Sequence, residues 1–169
     1  MARQTSFLLR AFVSGAAAAA ASTAALALLA RAEGQGALQP LNSTSHWLNG
    51  EQAASFKGAD IAHTLTGAAT HFAACVFWAA LFEWRTGARG RLAPLPLLRD
   101  AVAVSAFAAV VDYTVTPKRF TPGWEFVLSY RSMAVVYAAM AAGLAGAALA
   151  SQPRTQQQAG RHPGLRRLA

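Results

Sequence analysis

Four long apolar stretches divide this chain of 169 residues and constrain its fold more than any other feature. Each contains about twenty apolar or small residues, the helix length that crosses a hydrocarbon core of roughly 30 Å at about 1.5 Å per residue. The stretches run over Phe7–Ala30, Ile61–Glu83, Leu97–Val115 and Phe126–Ala150. The sequence therefore predicts an all-α integral membrane protein, with a single domain over 1–150 that forms a four-helix transmembrane bundle.

The amino-acid composition supports a lipid environment. Hydrophobic residues make up 54% of the chain and charged residues 13%, whereas an ordinary soluble domain has about 25% charged residues. A soluble bundle would alternate charged and apolar faces along each helix, and these four stretches do not. The lipid bilayer is therefore the predicted surrounding of all four helices.

The distribution of positive charge predicts the orientation. The formal net charge is +8, and the basic residues lie at the ends of the stretches instead of forming one patch with aromatic residues, which argues against nucleic-acid binding. Arginines are most frequent before the first stretch, between the second and third, and after the fourth. Because basic residues accumulate in cytoplasmic loops, we expect both termini inside and the 31–60 and 116–125 loops outside. The basic tail over 151–169 is predicted to be disordered and cytoplasmic.

The first stretch has two interpretations. Arg3 and Arg10 precede an alanine-rich run that ends in Ala30-Arg31-Ala32, which resembles a cleavable signal peptide. The apolar run is longer than the roughly 7–15 residues usual in such a peptide, and an arginine inside the cleavage site is unfavourable. These features favour an uncleaved helix, and cleavage is the alternative.

Small residues at intervals of four mark the first and fourth stretches. The fourth has two such faces, formed by Ala139, Gly143 and Ala147 and by Ala142, Gly146 and Ala150. This spacing lets helix backbones approach closely where lipid supplies no hydrophobic driving force. Packing inside the bundle is the simplest interpretation. A homodimer through one of these faces, or contact with a membrane partner subunit, is the alternative.

Ionisable residues collect toward the predicted outer ends of the helices. Asp112 lies inside the end of the third stretch, where an acid needs a partner or else must stay neutral. Arg131 in the fourth stretch is a candidate for that partner, and Lys118, Arg119 and His63 are others. His71 lies deeper than His63 on the same helical stripe. We therefore predict an outer polar cluster of Asp60, His63, His71, Asp112, Arg119, Glu125 and Arg131.

The members of this cluster also have structural interpretations. Asp60 and Glu125 stand near helix starts, where acids complement the helix dipole, and Arg119 is an ordinary loop charge. His71 can donate to a carbonyl group of a neighbouring helix. For Asp112 and His63 together, structural pairing and function are equally supported, because an acid and an imidazole at membrane depth are both costly.

No pattern in the sequence assigns an enzymatic activity. HExxH, P-loop, Rossmann and GxSxG patterns are absent. Cys75 is the only cysteine, which excludes an intrachain disulfide. His63 and His71 stand about 12 Å apart along a helix, too far to share one metal ion directly. We predict no catalytic residue, no metal and no cofactor.

Over about 60–150 the chain resembles small bacterial four-helix inner-membrane proteins of the proteobacterial type whose activity is unknown. The resemblance rests on His63, on Thr70-His71, on Asp112 and on the turn Thr121-Pro122-Gly123-Trp124-Glu125. It implies a multi-pass topology in the bacterial inner (cytoplasmic) membrane, and an excess of Arg over Lys is itself typical of a GC-rich bacterial genome.

These features predict a small, non-enzymatic inner-membrane protein whose periplasm-facing polar cluster handles protons or an ion, or binds a partner subunit. A small transporter or channel is the first alternative. It requires a continuous polar path, yet 102–111 contains only Ser105 as a polar residue and 140–150 contains none. A membrane enzyme or metal-binding protein is the second alternative.

Overall fold

The computed structural model describes residues 2–87, 89 and 92–152, and its regular structure over these residues is helical throughout. The predicted disordered tail lies almost entirely outside the described residues. In chain order the α-helices are α1 (Ala2–Ala32), α2 (Gln39–Ser43), α3 (His46–Asn49), α4 (Thr66–Gly87), α5 (Pro94–Val110) and α6 (Tyr130–Ala150). Short 3-10 turns form at Glu51–Ser55, Lys118–Phe120 and Trp124–Phe126.

Two π-helical turns lengthen the central helices. Ile61–Leu65 leads into α4, and Val111–Val115 continues α5. With these turns, four helical segments are long and apolar enough to cross a membrane: Ser6–Ala32, Ile61–Gly87, Pro94–Val115 and Tyr130–Ser151. The predicted all-helical fold with four candidate spans is therefore confirmed.

The start of the fourth span was predicted too early. It begins at Tyr130 instead of Phe126, because the segment before it folds as a 3-10 turn that buries Val127 and Leu128. Ser129 caps the helix, and its side chain accepts a hydrogen bond from the backbone N–H of Ser132 at 3.3 Å. A serine at this position satisfies one of the free N–H groups of a helix start.

Helix α1 packs along both α4 and α6, and α5 packs on α6. Small residues bring these helices together. A Cβ atom added to Gly143 would lie 2.6 Å from the Ala17 carbonyl oxygen, and one added to Gly15 would lie 2.7 Å from the Val76 Cα atom. The Gly143 face of α6 is therefore used inside the bundle. Large side chains, among them Phe82 and Leu144, fill the space between the helices.

Two buried acids tie together the end of the bundle at which α4 ends and α5 begins. Arg10 pairs with Glu83, with 3.3 Å between the side-chain nitrogen and oxygen. Arg85 and Arg89 both bind Asp100, at 3.1 and 2.6 Å, and the Asp100 side chain is almost completely buried. We call this the arginine-rich end.

The opposite end, which we call the loop end, is covered by the chain between α1 and α4 and by the chain between α5 and α6. Asn42 organises the first of these segments: its amide donates to the carbonyl oxygens of Phe56 (2.8 Å) and Gly58 (3.0 Å), and its side-chain oxygen accepts from Thr64 Oγ1 (2.7 Å). These bonds satisfy loop backbone groups that would otherwise be buried without partners. The loop end is therefore ordered, and it positions the site described next.

Candidate functional site

Asp60 and His63 form a local pair at the start of the π-helical turn before α4. Asp60 accepts a hydrogen bond from the His63 backbone N–H (2.7 Å) and pairs with His63 Nδ1 (2.9 Å). These bonds hold the pKa of the Asp60 carboxyl below its ordinary value. The Phe56 ring stacks on the His63 ring, with centroids 4.4 Å apart. The pair lies at the surface, and it accounts for both residues as a helix cap.

Asp112 contacts a different residue of the fourth span from the one expected. The Tyr137 hydroxyl donates to Asp112 Oδ2 at 2.6 Å. The expected partner, Arg131, is exposed and has no ion pair or hydrogen bond among the described residues. The physical reason is the helical phase of α6: Arg131 lies on its exposed face, whereas Tyr137, about 120° further around the helix, lies on a buried face.

Arg119 and Glu125 lie in the loop between α5 and α6 and belong to separate contacts. Arg119 donates through Nε to the Trp47 carbonyl oxygen at 3.1 Å. Glu125 Oε1 accepts from Thr121 Oγ1 at 2.7 Å, whereas Oε2 is buried without a hydrogen-bond partner in the described part of the chain. The Tyr113 hydroxyl is buried near this carboxylate. The residues predicted as one cluster are therefore distributed over several local groups.

His71 lies in the interior of the bundle. Its Nε2 atom is 2.9 Å from Ser22 Oγ on α1 and 3.7 Å from Cys75 Sγ one turn further along α4. Its ring meets the edge of the Trp124 ring, with centroids 5.6 Å apart. The structural interpretation predicted that His71 donates to a backbone carbonyl group of a neighbouring helix. Among the contacts described, His71 instead meets the side-chain hydroxyl of Ser22.

A cavity of about 360 Å³ at the loop end brings His71 and Asp112 together. Three tryptophans from different elements line it: Trp47, Trp78 and Trp124. The ionisable side chains in its wall are His71, Cys75 and Asp112. The other predicted site residues do not line it; these are Asp60, His63, Arg119, Glu125 and Arg131.

Hydrogen bonds hold two of the indole rings in place. Trp47 Nε1 donates to Thr70 Oγ1 at 3.2 Å, and Trp124 Nε1 donates to Thr44 Oγ1 at 3.1 Å. Trp124 also packs against Tyr137, with ring centroids 5.6 Å apart. Because Tyr137 binds Asp112, the acid and the aromatic wall form one connected unit. Buried tryptophans normally satisfy their N–H group in this way.

Sequence reasoning predicted His71 and Asp112 as site residues but missed the aromatic residues of the cavity. Trp78 lies seven residues after His71 on the same stripe of α4, which is a signal of a shared face. Trp47, Trp124 and Tyr137 come from distant parts of the chain, and no spacing links them to His71 or Asp112.

The arrangement does not resemble a metal site. In the part of the chain that the structure describes, no three His, Cys, Asp or Glu side chains converge to hold an ion. The chemistry that the cavity offers is that of binding: an apolar wall, a carboxylate and an imidazole.

No family model, no curated protein and no solved structure matches this chain. Its function is therefore inferred from the residues of the cavity.

Proposed function

We propose that this chain is a small, non-enzymatic, multi-pass protein of the bacterial inner membrane that binds a small ligand in the cavity at its loop end. The observation that carries the proposal is the convergence of Asp112 and His71 with three tryptophans around one cavity of about 360 Å³. Ligand sites are typically concave and mostly apolar, with a few polar groups that orient the ligand. An acid inside a candidate membrane span marks a functional site by default, because its presence there is costly.

The distribution of arginine supports a periplasmic location for this cavity. Arg10, Arg85 and Arg89 lie at the opposite end of the bundle, and basic residues accumulate on the cytoplasmic side. With both termini in the cytoplasm, the cavity opens toward the periplasm.

Binding accounts for the interior better than conduction does. Between the cavity and the arginine-rich end the helices contribute buried apolar side chains, among them Phe82, Val104 and Leu144. Ser105 is the polar side chain in this region of α5, and its Oγ atom has no hydrogen-bond partner among the described residues. A channel or transporter needs polar groups along its whole path, so this interior favours a closed site.

The test is ligand-induced stabilisation of the purified full chain in detergent, screened with small cations, anions and neutral amphiphiles. A ligand that binds the folded state raises the unfolding temperature. The variant Ala74→Phe places a ring in the cavity wall, and Ala73→Phe is the matched control on an exposed, neighbouring face of α4 that does not line the cavity. We expect stabilisation of the wild type and of Ala73→Phe, and its loss in Ala74→Phe. The proposal fails if no compound stabilises the wild type, or if Ala74→Phe responds like the control.

A further inference from the structure

Resting on the proposed function, we infer that the ligand of this cavity is a small organic cation with an apolar body, a protonated amine or a quaternary ammonium ion. The Asp112 carboxylate supplies the opposite charge, and the indole rings of Trp47, Trp78 and Trp124 line the wall. Three properties of the cavity lead to this class of ligand: the carboxylate of Asp112, the aromatic rings of the wall and the engagement of its threonine hydroxyls in hydrogen bonds within the protein.

With Asp112 ionised, the cavity carries a negative charge. Asp112 is the acid in its wall, and among the described residues no lysine or arginine lines it. In the described part of the chain Asp112 has one hydrogen-bond partner, the Tyr137 hydroxyl, and no ion pair. A carboxylate in apolar surroundings is stabilised by a cation placed beside it.

The cationic side chains of the loop end do not neutralise Asp112. Arg119 is exposed and bonded to the Trp47 carbonyl oxygen, and Arg131 is exposed on the first turn of α6. His63 is paired with Asp60 outside the cavity. Exposed charges are screened by water and salt, so they act weakly on a group in an apolar cavity. The opposite charge must therefore come with the ligand.

The aromatic wall suits a cation. Tryptophan is the best side chain for binding ammonium groups through its ring face, and aromatic walls are the usual means by which proteins recognise quaternary ammonium ions. The N–H groups of Trp47 and Trp124 are already bonded to threonines. These two rings therefore offer the ligand their faces and edges instead of a hydrogen bond.

The three threonine hydroxyls of the wall are not available as donors to an anion or a sugar. The hydroxyls of Thr44 and Thr70 donate to backbone carbonyl oxygens at 3.1 and 2.8 Å, and that of Thr121 donates to Glu125 at 2.7 Å. An anion or a polyhydroxylated ligand needs free hydrogen-bond donors, and each of these three hydroxyls already donates its hydrogen atom within the protein. Desolvating such a ligand without new hydrogen bonds would cost binding energy.

The size of the cavity limits the ligand. A volume of about 360 Å³ is near the lower end of the range of roughly 300–1,000 Å³ found for small-molecule sites. It fits a molecule with one ring or a short chain, and it excludes a lipid with two acyl chains.

The experiment uses three probes of similar size and different charge: benzyltrimethylammonium, its neutral carbon isostere neopentylbenzene, and benzenesulfonate. Their affinities for the full chain in detergent are measured by tryptophan fluorescence and calorimetry. We expect the cation to bind at least tenfold more tightly than the neutral isostere, and benzenesulfonate to bind more weakly than either. In Asp112→Asn we expect the affinity for the cation to fall at least tenfold while that for neopentylbenzene is retained, which also shows that the variant is folded.

Two control variants separate charge and ring effects from nonspecific ones. Asp60→Asn removes an acid at the same end of the bundle but outside the cavity, and should leave cation binding unchanged. Trp124→Leu should weaken cation binding at least tenfold, whereas Trp84→Leu, at an exposed tryptophan outside the cavity, should not.

The outcomes distinguish this inference from the proposed function. If neopentylbenzene or benzenesulfonate binds as tightly as the cation, and this binding is lost in Ala74→Phe, the cavity is a ligand site and the inference about charge is wrong. Cation affinity that is unchanged in Asp112→Asn also overturns the inference. If none of these probes and no other screened compound binds, the proposed function fails with it.

Discussion

Gly67 lies where the first α-helical turn of α4 passes the backbone of α2. A Cβ atom at this position would overlap the Leu41 carbonyl oxygen, a backbone atom that cannot rotate away. Gly146 on α6 is the opposite case, because a Cβ atom there would meet nothing within 4 Å. The first glycine is required by helix packing, and the second is not required by any contact among the described residues.

These two glycines give a matched prediction for stability. Alanine is favoured over glycine in a helix by about 1 kcal/mol, while forcing an extra carbon into a packed contact costs about 1–3 kcal/mol. We expect Gly67→Ala to lower the free energy of unfolding by about 1 kcal/mol or more, and Gly146→Ala to leave it unchanged or raise it slightly. Thermal unfolding in detergent, followed by circular dichroism, measures both; equal unfolding temperatures for the two variants would contradict the packing described at α2.

At the scale of helices, the α4–α5 connection depends on one buried acid. Asp100 lies in α5 with its side chain almost completely buried, and Arg85 and Arg89 reach it from α4 and the following turn. Both arginines are partly exposed, so their own desolvation is small. Removing the acid would leave two cations next to a buried neutral group.

We predict that Asp100→Asn destabilises the bundle by about 2–3 kcal/mol, somewhat less than for a fully buried ion pair, where loss of one partner costs about 3–5 kcal/mol. Glu51→Gln is the control, since Glu51 is exposed and has no ion pair in the described part of the chain. Chemical or thermal unfolding in detergent measures the difference. A loss no larger than that of the control would show that the Asp100 ion pairs do not hold the hairpin.

The start of the second span gives a prediction about pH. The bonds from His63 lower the pKa of Asp60 below its ordinary value of about 3.9, so the ionised carboxylate favours the folded state. This contribution is fully present above the ordinary pKa and is lost as the pH falls through the lowered one. We expect Asp60→Asn to make the fall of the unfolding temperature below about pH 4 shallower.

Glu33 determines how strongly the unfolding temperature of the Asp60→Asn variant still falls at acid pH. Hydrogen bonds from the side chains of Ser132 and Ser129, and from the Ser129 backbone N–H, lower the pKa of the Glu33 carboxyl as well. In the double variant Asp60→Asn, Glu33→Gln, the unfolding temperature should therefore fall less at acid pH than in either single variant. Wild-type and variant curves that coincide from pH 3 to 7 would contradict both assignments.

For the whole molecule, the two ends of the bundle differ in charge, and this difference predicts its orientation. In a Cys75→Ala background, Gln35→Cys places a thiol at the exposed loop end and Ser151→Cys places one after α6. A membrane-impermeant maleimide applied to spheroplasts should label residue 35 at once and residue 151 only after the membrane is permeabilised. The reverse pattern would place the cavity in the cytoplasm and contradict the proposed periplasmic site.

Of the two small-residue faces of α6, one remains exposed. The Gly143 face contacts α1, while Ala142, Gly146 and Ala150 are exposed. We propose that a homodimer, where one forms, uses this exposed face. Gly146→Leu should then convert cross-linked dimers into monomers without changing the unfolding temperature, and Val102→Ala, a change at an exposed position of α5, should leave the dimers intact. Cross-linked dimers that persist in Gly146→Leu would exclude this face.

The sequence alone determined the four spans and the difference between the two ends. Both can be read from local stretches of sequence. About twenty apolar residues in a row are long enough for a helix to cross a bilayer, and the position of the arginines at helix ends does not depend on how the helices pack. Only the tertiary structure decided which polar groups meet. Asp112 binds Tyr137 instead of Arg131 because the face of α6 that carries Tyr137 is buried and the face that carries Arg131 is exposed, and this depends on how α6 packs against the other helices. Trp47, Trp78 and Trp124 converge because α2, α3 and the later loop fold over α4, and contacts between distant segments leave no periodic signal in the chain.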